Sequence, residues 1–384
     1  MTKYSLHEPL LGKQEKTYVE NCLQTAWLSP SGKYVKIFES TLEKITKKKV
    51  ICCNSGTSAL HISLILAGVK SSEEVIVPTI TFISTINAVI YLKASPIFMD
   101  CKEDLLVDTD KIINFLKTKT YKKNNNTFNK KTKKKISAII ITHVFGNLVD
   151  IKKLKNECKK RGVKLIEDAA EALGSQYKNN IHAGSIGDFG ILSFNINKII
   201  TTGGGGAILL NNSFQKKKAK LLINQSKVDN IYFKHQEAGF NYGLSNVNAA
   251  IGLGQIKKLQ NILKKKNKIY KIYKKKFLKE KNIKLITEPN YQKSNKWLNF
   301  ILIKNIEYSN FKQVIKNLID KNVEVRPVWY PCHLQNYLKK FERYKIDVAN
   351  KIYKKIICLP SSYFLTSKDI NKITEIIKNV VKKK

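Results

Sequence analysis

The sequence predicts an α/β protein whose largely parallel sheet is covered by helices on both faces. Short apolar runs alternate with segments of helical periodicity through the first half of the chain. The run 137–142 is apolar on both faces, as strands buried between two helical layers are. With 384 residues, the chain can form a large domain, 1–255, followed by a smaller α+β domain, 256–384.

Local patterns place the individual elements in order. Strands are predicted over 49–53, 75–78, 96–99, 137–142, 163–166, 189–194 and 207–210, and helices over 58–68, 82–92 and 151–161. Residues 54–57 supply a helix cap, and Gly162 ends the third helix. A long helical pattern over 245–277 leads into the second domain, where 297–303, 323–325 and a closing helix over 370–381 predict the α+β fold.

One segment departs from this alternation. Residues 117–135 are rich in Lys, Asn and Thr and contain almost nothing apolar. Such a tract cannot bury enough apolar surface to offset the entropy of ordering it. We therefore expect a mobile surface loop there.

The net charge of +41 has two interpretations. A strongly basic protein can bind nucleic acid. Alternatively, a coding bias has placed lysines on solvated faces. We favour the second interpretation, because the basic residues are nearly all Lys and are dispersed along helices rather than interleaved with aromatic residues. We expect no nucleic-acid partner.

Three further features concern the environment of the protein. No apolar run reaches the roughly 18 residues of a membrane helix, so we expect no membrane association. The first residues lack the apolar core of a secretory signal. The seven cysteines are scattered without a CxxC pair. These features predict a reduced, cytoplasmic protein with neither disulfides nor a metal site.

The candidate catalytic residues fall at strand ends, where ligands of open α/β sheets bind. Lys198 lies among short polar residues and precedes the glycine-rich turn 203–206, while Asp168 follows the apolar run 163–166. A pyridoxal 5'-phosphate (PLP) enzyme requires such a pair, an amine for the Schiff base and an acid for the pyridinium nitrogen. The neighbouring Glu167 is the alternative acid; the alternation of the strand favours Asp168. A carboxylate here could equally cap a helix or form a structural ion pair.

A second set of residues could hold a phosphate and a ring. Gly56 lets the backbone approach an anion, and Thr57 and Ser58 offer hydroxyls and amides at a helix N-terminus. Ser193 and Asn195 could add hydrogen bonds to the same phosphate. Phe82 could stack on a ring, although an isolated aromatic residue more often packs in a core. The residues near Gly56 could also be an ordinary helix cap.

Several segments together carry a family resemblance. They include NSGTSAL at 54–60, PTITF at 78–82, EDAAEALGS at 167–175, GSIGDFGILSFNINKIITTGGGGAIL at 184–209 and RPVWYPCH at 326–333. The chain resembles the DegT/StrS-type nucleotide-sugar aminotransferases of PLP fold type I. The resemblance implies roles for residues already singled out: Lys198 as the Schiff-base lysine, Asp168 as the pyridinium partner, Phe82 on the ring, and Gly56, Thr57, Ser58, Ser193 and Asn195 on the phosphate.

The resemblance also implies residues that the patterns alone do not. Glu171 matches a position near the cofactor hydroxyl, and Arg326 and His333 match positions near the substrate. Asn241 would reach the phosphate from a neighbouring subunit, so the resemblance implies a homodimer with shared active sites. Gly243 stands where relatives usually carry arginine.

The form of the lysine motif narrows the implied reaction. Residues 193–206 resemble those of the subgroup that aminates UDP-4-keto-6-deoxy-N-acetylglucosamine, with L-glutamate as the expected amino donor. A 3-keto sugar, or a GDP- or dTDP-linked sugar, is the alternative. A basic regulatory or nucleic-acid-binding protein on the same fold is the alternative from another class.

Overall fold

The computed structural model describes residues 4–229 and 231–382. The first three residues of the predicted large domain and the last two of the predicted small domain therefore lie outside the described residues, as does Asn230.

The described residues form strands and helices in the following order. The strands are β1 (Lys49–Cys53), β2 (Glu74–Pro78), β3 (Ser95–Met99), β4 (Thr120–Lys123), β5 (Asn126–Asn129), β6 (Lys135–Thr142), β7 (Lys164–Asp168), β8 (Gln176–Tyr177), β9 (Phe189–Ser193), β10 (Gly206–Leu210), β11 (Ile283–Leu285), β12 (Gln292–Lys293), β13 (Asn299–Ile303), β14 (Arg326–Pro327), β15 (Arg343–Tyr344) and β16 (Ile356–Leu359). The helices are α1 (Lys13–Gln24), α2 (Lys33–Thr46), α3 (Gly56–Leu66), α4 (Ser84–Tyr91), α5 (Thr109–Thr118), α6 (Lys152–Arg161), α7 (Ser213–Ile223), α8 (Asn246–Lys257), α9 (Leu259–Phe277), α10 (Tyr308–Asp320), α11 (Val348–Ile352) and α12 (Ser367–Lys382).

The larger sheet has the order β1-β10-β9-β7-β6-β2-β3-β15. Its centre, from β9 through β7, β6, β2 and β3 to β15, is parallel, whereas β10 pairs antiparallel with both β1 and β9. Side chains of β6 alternate between two apolar clusters: Ile139 and Ile141 belong to one, Ala138 and Ile140 to the other. The predicted α/β class, with a mostly parallel sheet buried on both faces, is confirmed.

The predicted mobile loop over 117–135 is wrong. Strands β4 and β5 form an antiparallel hairpin that continues the sheet through β6. The rings of Tyr121 and Phe128 stack with centroids 5.6 Å apart. Asn129 is buried and its Nδ2 donates to carboxylate oxygens of Glu74 and Glu342 at 3.0 and 2.7 Å. Backbone pairing and buried polar contacts order a segment that is poor in apolar residues.

The second part of the chain forms a smaller sheet with the order β11-β13-β16-β14. The segment between its strands returns to the larger sheet, where β15 pairs parallel with β3. The helical pattern over 245–277 is two helices, α8 and α9, that meet at Lys258. The strand predicted over 323–325 is limited to a single bridge between Val323 and Tyr4. The boundary between the two predicted domains stays a prediction.

Two sequence expectations concern burial. All seven cysteines lie within the described residues, and each is buried with a free thiol. Among the helices of the described ranges, none combines the length and the apolar character needed to cross a bilayer.

Candidate active site

A cavity of about 350 Å³ lies where the parallel strands end. The turn between β1 and α3 forms one wall, and the ends of β7 and β9 form another. Residues in or beside strands β13 and β14 of the smaller sheet close the cavity; they are Trp297, Arg326 and Trp329. Leu6, from the N-terminal segment, completes the lining. The cavity thus lies at the strand ends, the position expected for a ligand site in this architecture.

The two adjacent acids at the end of β7 have different surroundings. Glu167 is buried and accepts hydrogen bonds from the amides of Gly184, Ile186 and Gly187, and it pairs with His143 Nε2 at 2.9 Å. Burial by itself raises a carboxyl pKa, but the His143 ring and these amides together hold the pKa of Glu167 below its ordinary value. Glu167 is therefore fully engaged as a structural acid.

Asp168 has fewer partners and lines the cavity. Its Oδ2 accepts from Thr85 Oγ1 at 2.7 Å and its Oδ1 from the amide of Ala170 at 3.2 Å. Burial raises the pKa of Asp168, and the hydrogen bond from Thr85 offsets only part of that effect. A buried carboxylate without a cationic partner is unfavourable. Asp168 is thus suited to pair with a cation that enters the cavity.

Lys198 extends into the same cavity from the turn that follows β9. Its Nζ lies 3.0 Å from Glu171 Oε1 and 4.2 Å from the centroid of the Trp297 ring. The other Glu171 oxygen accepts from the amide of Phe145 at 2.9 Å. Burial raises the pKa of Glu171, and the charge of Lys198 opposes this rise. The amine is therefore fixed between one acid and one aromatic face.

The N-terminus of α3 forms a concave wall of the cavity. Gly206 of β10 approaches this turn so closely that a Cβ there would lie 2.5 Å from the Ser55 carbonyl carbon. A Cβ on Gly56 would lie 3.1 Å from Ser193 Cβ. Gly56, Thr57, Ser193 and Asn195 line the cavity. Small residues around free helix-terminal amides suit a phosphate group.

Ser58 differs from this group. Its amide donates to Ser55 Oγ at 3.0 Å, and its hydroxyl donates to Asn54 Oδ1 at 2.6 Å. It is buried and is absent from the cavity lining. In this structure Ser58 is a helix-cap partner, and its predicted contact with phosphate stays a prediction.

The remaining predicted residues divide between the cavity and other places. Phe82 and Arg326 line the cavity, and Phe82 is 55% exposed. His333 lies outside it, buried between Thr79 Oγ1 at 2.5 Å and Asn350 Oδ1 at 3.1 Å. Both of its ring nitrogens are engaged in the interior, and the expected substrate contact of His333 stays a prediction. Asn241 lines a separate groove of about 1340 Å³.

The residues present fit PLP. The Asp168 carboxylate, which accepts two hydrogen bonds but has no ion pair among the described residues, could pair with a pyridinium nitrogen. The Lys198 amine could condense with an aldehyde, and the α3 N-terminus could bind the phosphate. Phe82 offers an exposed ring at the same cavity. The set that would hold the cofactor therefore comprises Gly56, Thr57, Phe82, Asp168, Glu171, Ser193, Asn195 and Lys198.

Sequence patterns missed three residues of the site. Thr85 holds Asp168 through its hydroxyl, Trp297 covers the Lys198 amine, and Trp329 packs its ring 6.5 Å from that of Phe82. Trp329 stands within the segment 326–333, whose resemblance was noted, but no spacing assigned it a role. Trp297 lies about one hundred positions from Lys198, so no local pattern connects them.

Comparisons with known proteins agree with this geometry. The family model "DegT/DnrJ/EryC1/StrS aminotransferase family" matches residues 9–378. The chain is 31% identical over 380 residues to a putative pyridoxal phosphate-dependent aminotransferase, EpsN, of Bacillus subtilis, covering 98% of this chain and 95% of the relative. It is 31% identical over 378 residues to the GDP-perosamine synthase of Escherichia coli O157:H7, with 97% of each chain covered.

A third relative is the UDP-4-amino-4,6-dideoxy-N-acetyl-beta-L-altrosamine transaminase of Campylobacter jejuni, 32% identical over 357 residues, with 92% of this chain and 91% of the relative covered. Among solved structures, the Helicobacter pylori aminotransferase PseC superposes with a TM-score of 0.89 over 99% of this chain and 100% of that one, at 24% identity. That likeness shows the same fold.

Proposed function

This chain belongs to the DegT/DnrJ/EryC1/StrS aminotransferase family, and on that premise we propose that it moves the amino group of L-glutamate to a 4-keto-6-deoxy nucleotide sugar, with UDP-4-keto-6-deoxy-N-acetylglucosamine as the first candidate. The coarser activity follows from the family: the chain is a PLP-dependent sugar aminotransferase. The finer proposal specifies the donor, the sugar and the nucleotide.

One observation carries the proposal for the site: the Lys198 amine and the unpaired Asp168 carboxylate line one cavity with the α3 N-terminus. When bound, PLP supplies an aldehyde that condenses with amines and a ring that withdraws electrons. Asp168 would keep that ring protonated, and the amides of α3 would hold its phosphate.

The side chains around Lys198 then govern proton movement. Lys198 Nζ would remove the proton from the donor carbon that carries nitrogen, and it would return a proton to the sugar carbon that receives nitrogen. Glu171, 3.0 Å away, would stabilise the positively charged state of the amine between these steps. Trp297 and Phe145 exclude water from one side of the amine because they are apolar, buried and in ring contact.

Two considerations support the choice of sugar. The name of the Campylobacter relative specifies an amino group at C4 of a 4,6-dideoxy UDP-sugar. The lysine motif of residues 193–206 resembles that of 4-keto UDP-sugar aminotransferases. The perosamine synthase relatives favour a GDP-linked sugar instead. Both nucleotides are therefore compared experimentally.

We also propose a homodimer with shared active sites. Asn241 lines the groove of about 1340 Å³ rather than the cavity that holds Lys198. Large apolar side chains remain exposed on Phe214, which lines the groove, and on Ile231, Tyr232 and Phe233, at 77%, 79%, 75% and 65%. Apolar patches of this kind are typical of association surfaces. A second copy docked there would bring Asn241 towards the partner's cavity.

A cytoplasmic location completes the proposal. Its support is the chemistry of the seven cysteines, each of which is a free, buried thiol. Proteins of oxidising compartments commonly use cysteines in disulfides.

The test separates the two half-reactions. The purified, PLP-loaded enzyme is mixed with L-glutamate alone, and one 2-oxoglutarate per active site is expected before release stops. Keto sugars linked to UDP, GDP or dTDP, with the ketone at C3 or C4, are then added separately, and the amino sugar is identified by mass spectrometry. The proposal expects renewed 2-oxoglutarate release with the 4-keto UDP-sugar first. Preference for another sugar would refute the finer assignment, and absence of the first burst would refute the choice of donor.

A further inference from the structure

Lys266 of α9 is completely buried, and no acidic side chain among the described residues forms an ion pair with its amine. It is 0% exposed, and its Nζ donates to the carbonyl oxygens of Trp297 at 2.9 Å and Ser361 at 2.5 Å. His7 Nδ1 lies 3.2 Å from the same nitrogen. Burial lowers the pKa of Lys266 to about 7. Burial of a lysine costs free energy, because its charged form loses hydration.

One of the residues that Lys266 contacts also touches Lys198. The Trp297 ring lies over Lys198 Nζ, with its centroid 4.2 Å away. The Trp297 indole nitrogen donates to the carbonyl oxygen of Asn197 at 2.7 Å, one residue before Lys198. Trp297 thus contacts both the Lys198 amine and the main chain directly before it.

Lys266 contacts residues from three distant parts of the chain. His7 belongs to the N-terminal segment 4–12, Trp297 precedes β13 and Ser361 follows β16. The N-terminal segment is fixed elsewhere too, since the amide of Leu6 donates to Glu324 Oε2 at 2.9 Å and the amide of Ser361 to the carbonyl oxygen of Leu6 at 2.9 Å. An amine donates to both carbonyl groups in its charged and its neutral form. The arrangement therefore does not depend on the charge of Lys266.

We propose that Lys266 is a positioning residue that acts on Lys198 through Trp297, so that the N-terminal segment and the smaller sheet, which meet at Lys266, set the reactivity of the catalytic amine. This inference rests on the proposed role of Lys198. Its test therefore uses the cofactor-free protein, whose readout does not require turnover.

The first experiment measures the reactivity of Lys198 directly. Cofactor-free protein is reductively methylated at pH 7, and peptide mapping compares the rate at Lys198 with that at exposed lysines of the same molecules. Lys266→Met retains the volume of the side chain but removes the donors, and Lys268→Met removes an exposed lysine of the same helix as the matched control. We expect Lys266→Met to raise the relative rate at Lys198 about fivefold or more, because the amine loses its aromatic cover, and Lys268→Met to leave the rate unchanged.

A double-mutant cycle identifies the route of the effect. Trp297→Phe removes the indole donor, and the double variant Lys266→Met/Trp297→Phe should change the Lys198 rate little beyond the larger single effect, because both changes act on one contact. Multiplicative effects of the two substitutions would overturn the route through Trp297. An unchanged Lys198 rate in a folded Lys266→Met protein would overturn the proposal.

Two further readouts keep the proposal testable. If circular dichroism shows that Lys266→Met does not fold, Trp297→Phe must change the relative rate at Lys198, and a wild-type rate in that variant would overturn the inference. In the PLP-loaded enzyme, Lys266→Met should lower kcat about tenfold or more while leaving KM for the sugar within about twofold. Absence of transamination in the wild-type protein would refute the proposed function. The labelling rates of the cofactor-free proteins would still test the role of Lys266, because they do not require turnover.

Discussion

The stability of the cofactor-free protein should increase when Asp168 is replaced by Asn. The carboxylate is fully buried, and its burial raises its pKa in the folded protein. In the folded protein the group therefore resists ionisation, whereas in the unfolded chain it ionises at its ordinary pKa. Its contribution to stability is fully present below that ordinary value and is lost as the pH rises. At pH 7, folding of the cofactor-free protein therefore costs free energy, either to bury the charge or to take up a proton.

The magnitude follows from the contacts of Asp168. Moving a carboxylate into the interior costs several kcal/mol, and two hydrogen bonds to a charged group each recover about 1.5–3 kcal/mol. Thr85 and the amide of Ala170 supply those two bonds. Because the pKa of Asp168 remains raised, the cost of burial exceeds what these bonds return, and we expect Asp168→Asn to gain stability on the order of 1 kcal/mol at pH 7. For a chain of this size, that corresponds to a rise in Tm of about 1–4 °C.

The neighbouring acid is the matched control with the opposite sign. The pKa of Glu167 is lowered in the folded protein, since the effect of burial is outweighed by His143 and the amides of Gly187 and Ile186. Its contribution is present above the ordinary pKa of a glutamate and is lost as the pH falls. Glu167→Gln should therefore destabilise the protein by about 3–5 kcal/mol at pH 7. The loss should become smaller below about pH 4.

Thermal unfolding of the cofactor-free proteins from about pH 3, below the ordinary pKa of both acids, to about pH 8 measures both effects. The advantage of Asp168→Asn should disappear at the acid end of this range. Adding PLP should raise the Tm of the wild-type protein more than that of Asp168→Asn, because only the carboxylate gains a cationic partner. A cofactor-free Asp168→Asn protein that is less stable than wild type at pH 7 would refute the view that this acid is unpaired.

The other predictions concern turnover and assembly. Lys198→Ala should keep the fold but lose at least about 10²–10⁴-fold in kcat, and borohydride treatment of the PLP-loaded wild type followed by peptide mapping should place the adduct on Lys198. Glu171→Gln removes a charge 3.0 Å from the amine, an attraction of about 5–6 kcal/mol at an effective dielectric constant near 20. The labelling rate of Lys198 at pH 7 in the cofactor-free protein, relative to exposed lysines, should then change several-fold; an unchanged rate would contradict the pairing. Mixing Lys198→Ala with Asn241→Ala subunits should restore about a quarter of wild-type activity, because random dimers place one intact site in half of the molecules. Absence of restoration, with exchange confirmed by mass spectrometry, would argue against shared sites.

The sequence located the buried strands well but missed a polar hairpin and a division between two helices. Strands β1, β2, β3, β6, β7, β9 and β10 were located from apolar runs to within one or two residues, because a buried strand needs little more than a short apolar stretch. The hairpin β4–β5 was missed, since its residues are polar and its order comes from pairing with β6 and from the bonds of Asn129. The helical pattern over 245–277 did not reveal the division at Lys258, where the chain remains in the helical region of backbone conformation.

Residues of the candidate site likewise differ according to whether a local pattern marks them. Lys198, Asp168 and the turn at Gly56 were found because each stands beside a local signal: a glycine-rich turn, a strand end or a helix start. The choice of Asp168 over Glu167 was made from register alone. The structure supplies its physical reason, since Glu167 is occupied by His143 and three amides whereas Asp168 is not. His333 was placed at the substrate by resemblance, yet Thr79 and Asn350 hold it in the interior.

The sequence by itself determined the fold class, the order of most strands and the amine and acid at their ends, because these depend on neighbours within a few positions along the chain. Only the tertiary structure decided which partners those groups have. The Trp297 ring over the Lys198 amine, the Lys266 bond to the Trp297 carbonyl group and the contact of His7 with Lys266 join residues separated by tens to hundreds of positions. Such contacts leave no periodic or local trace, since they arise from the burial of several distant segments together.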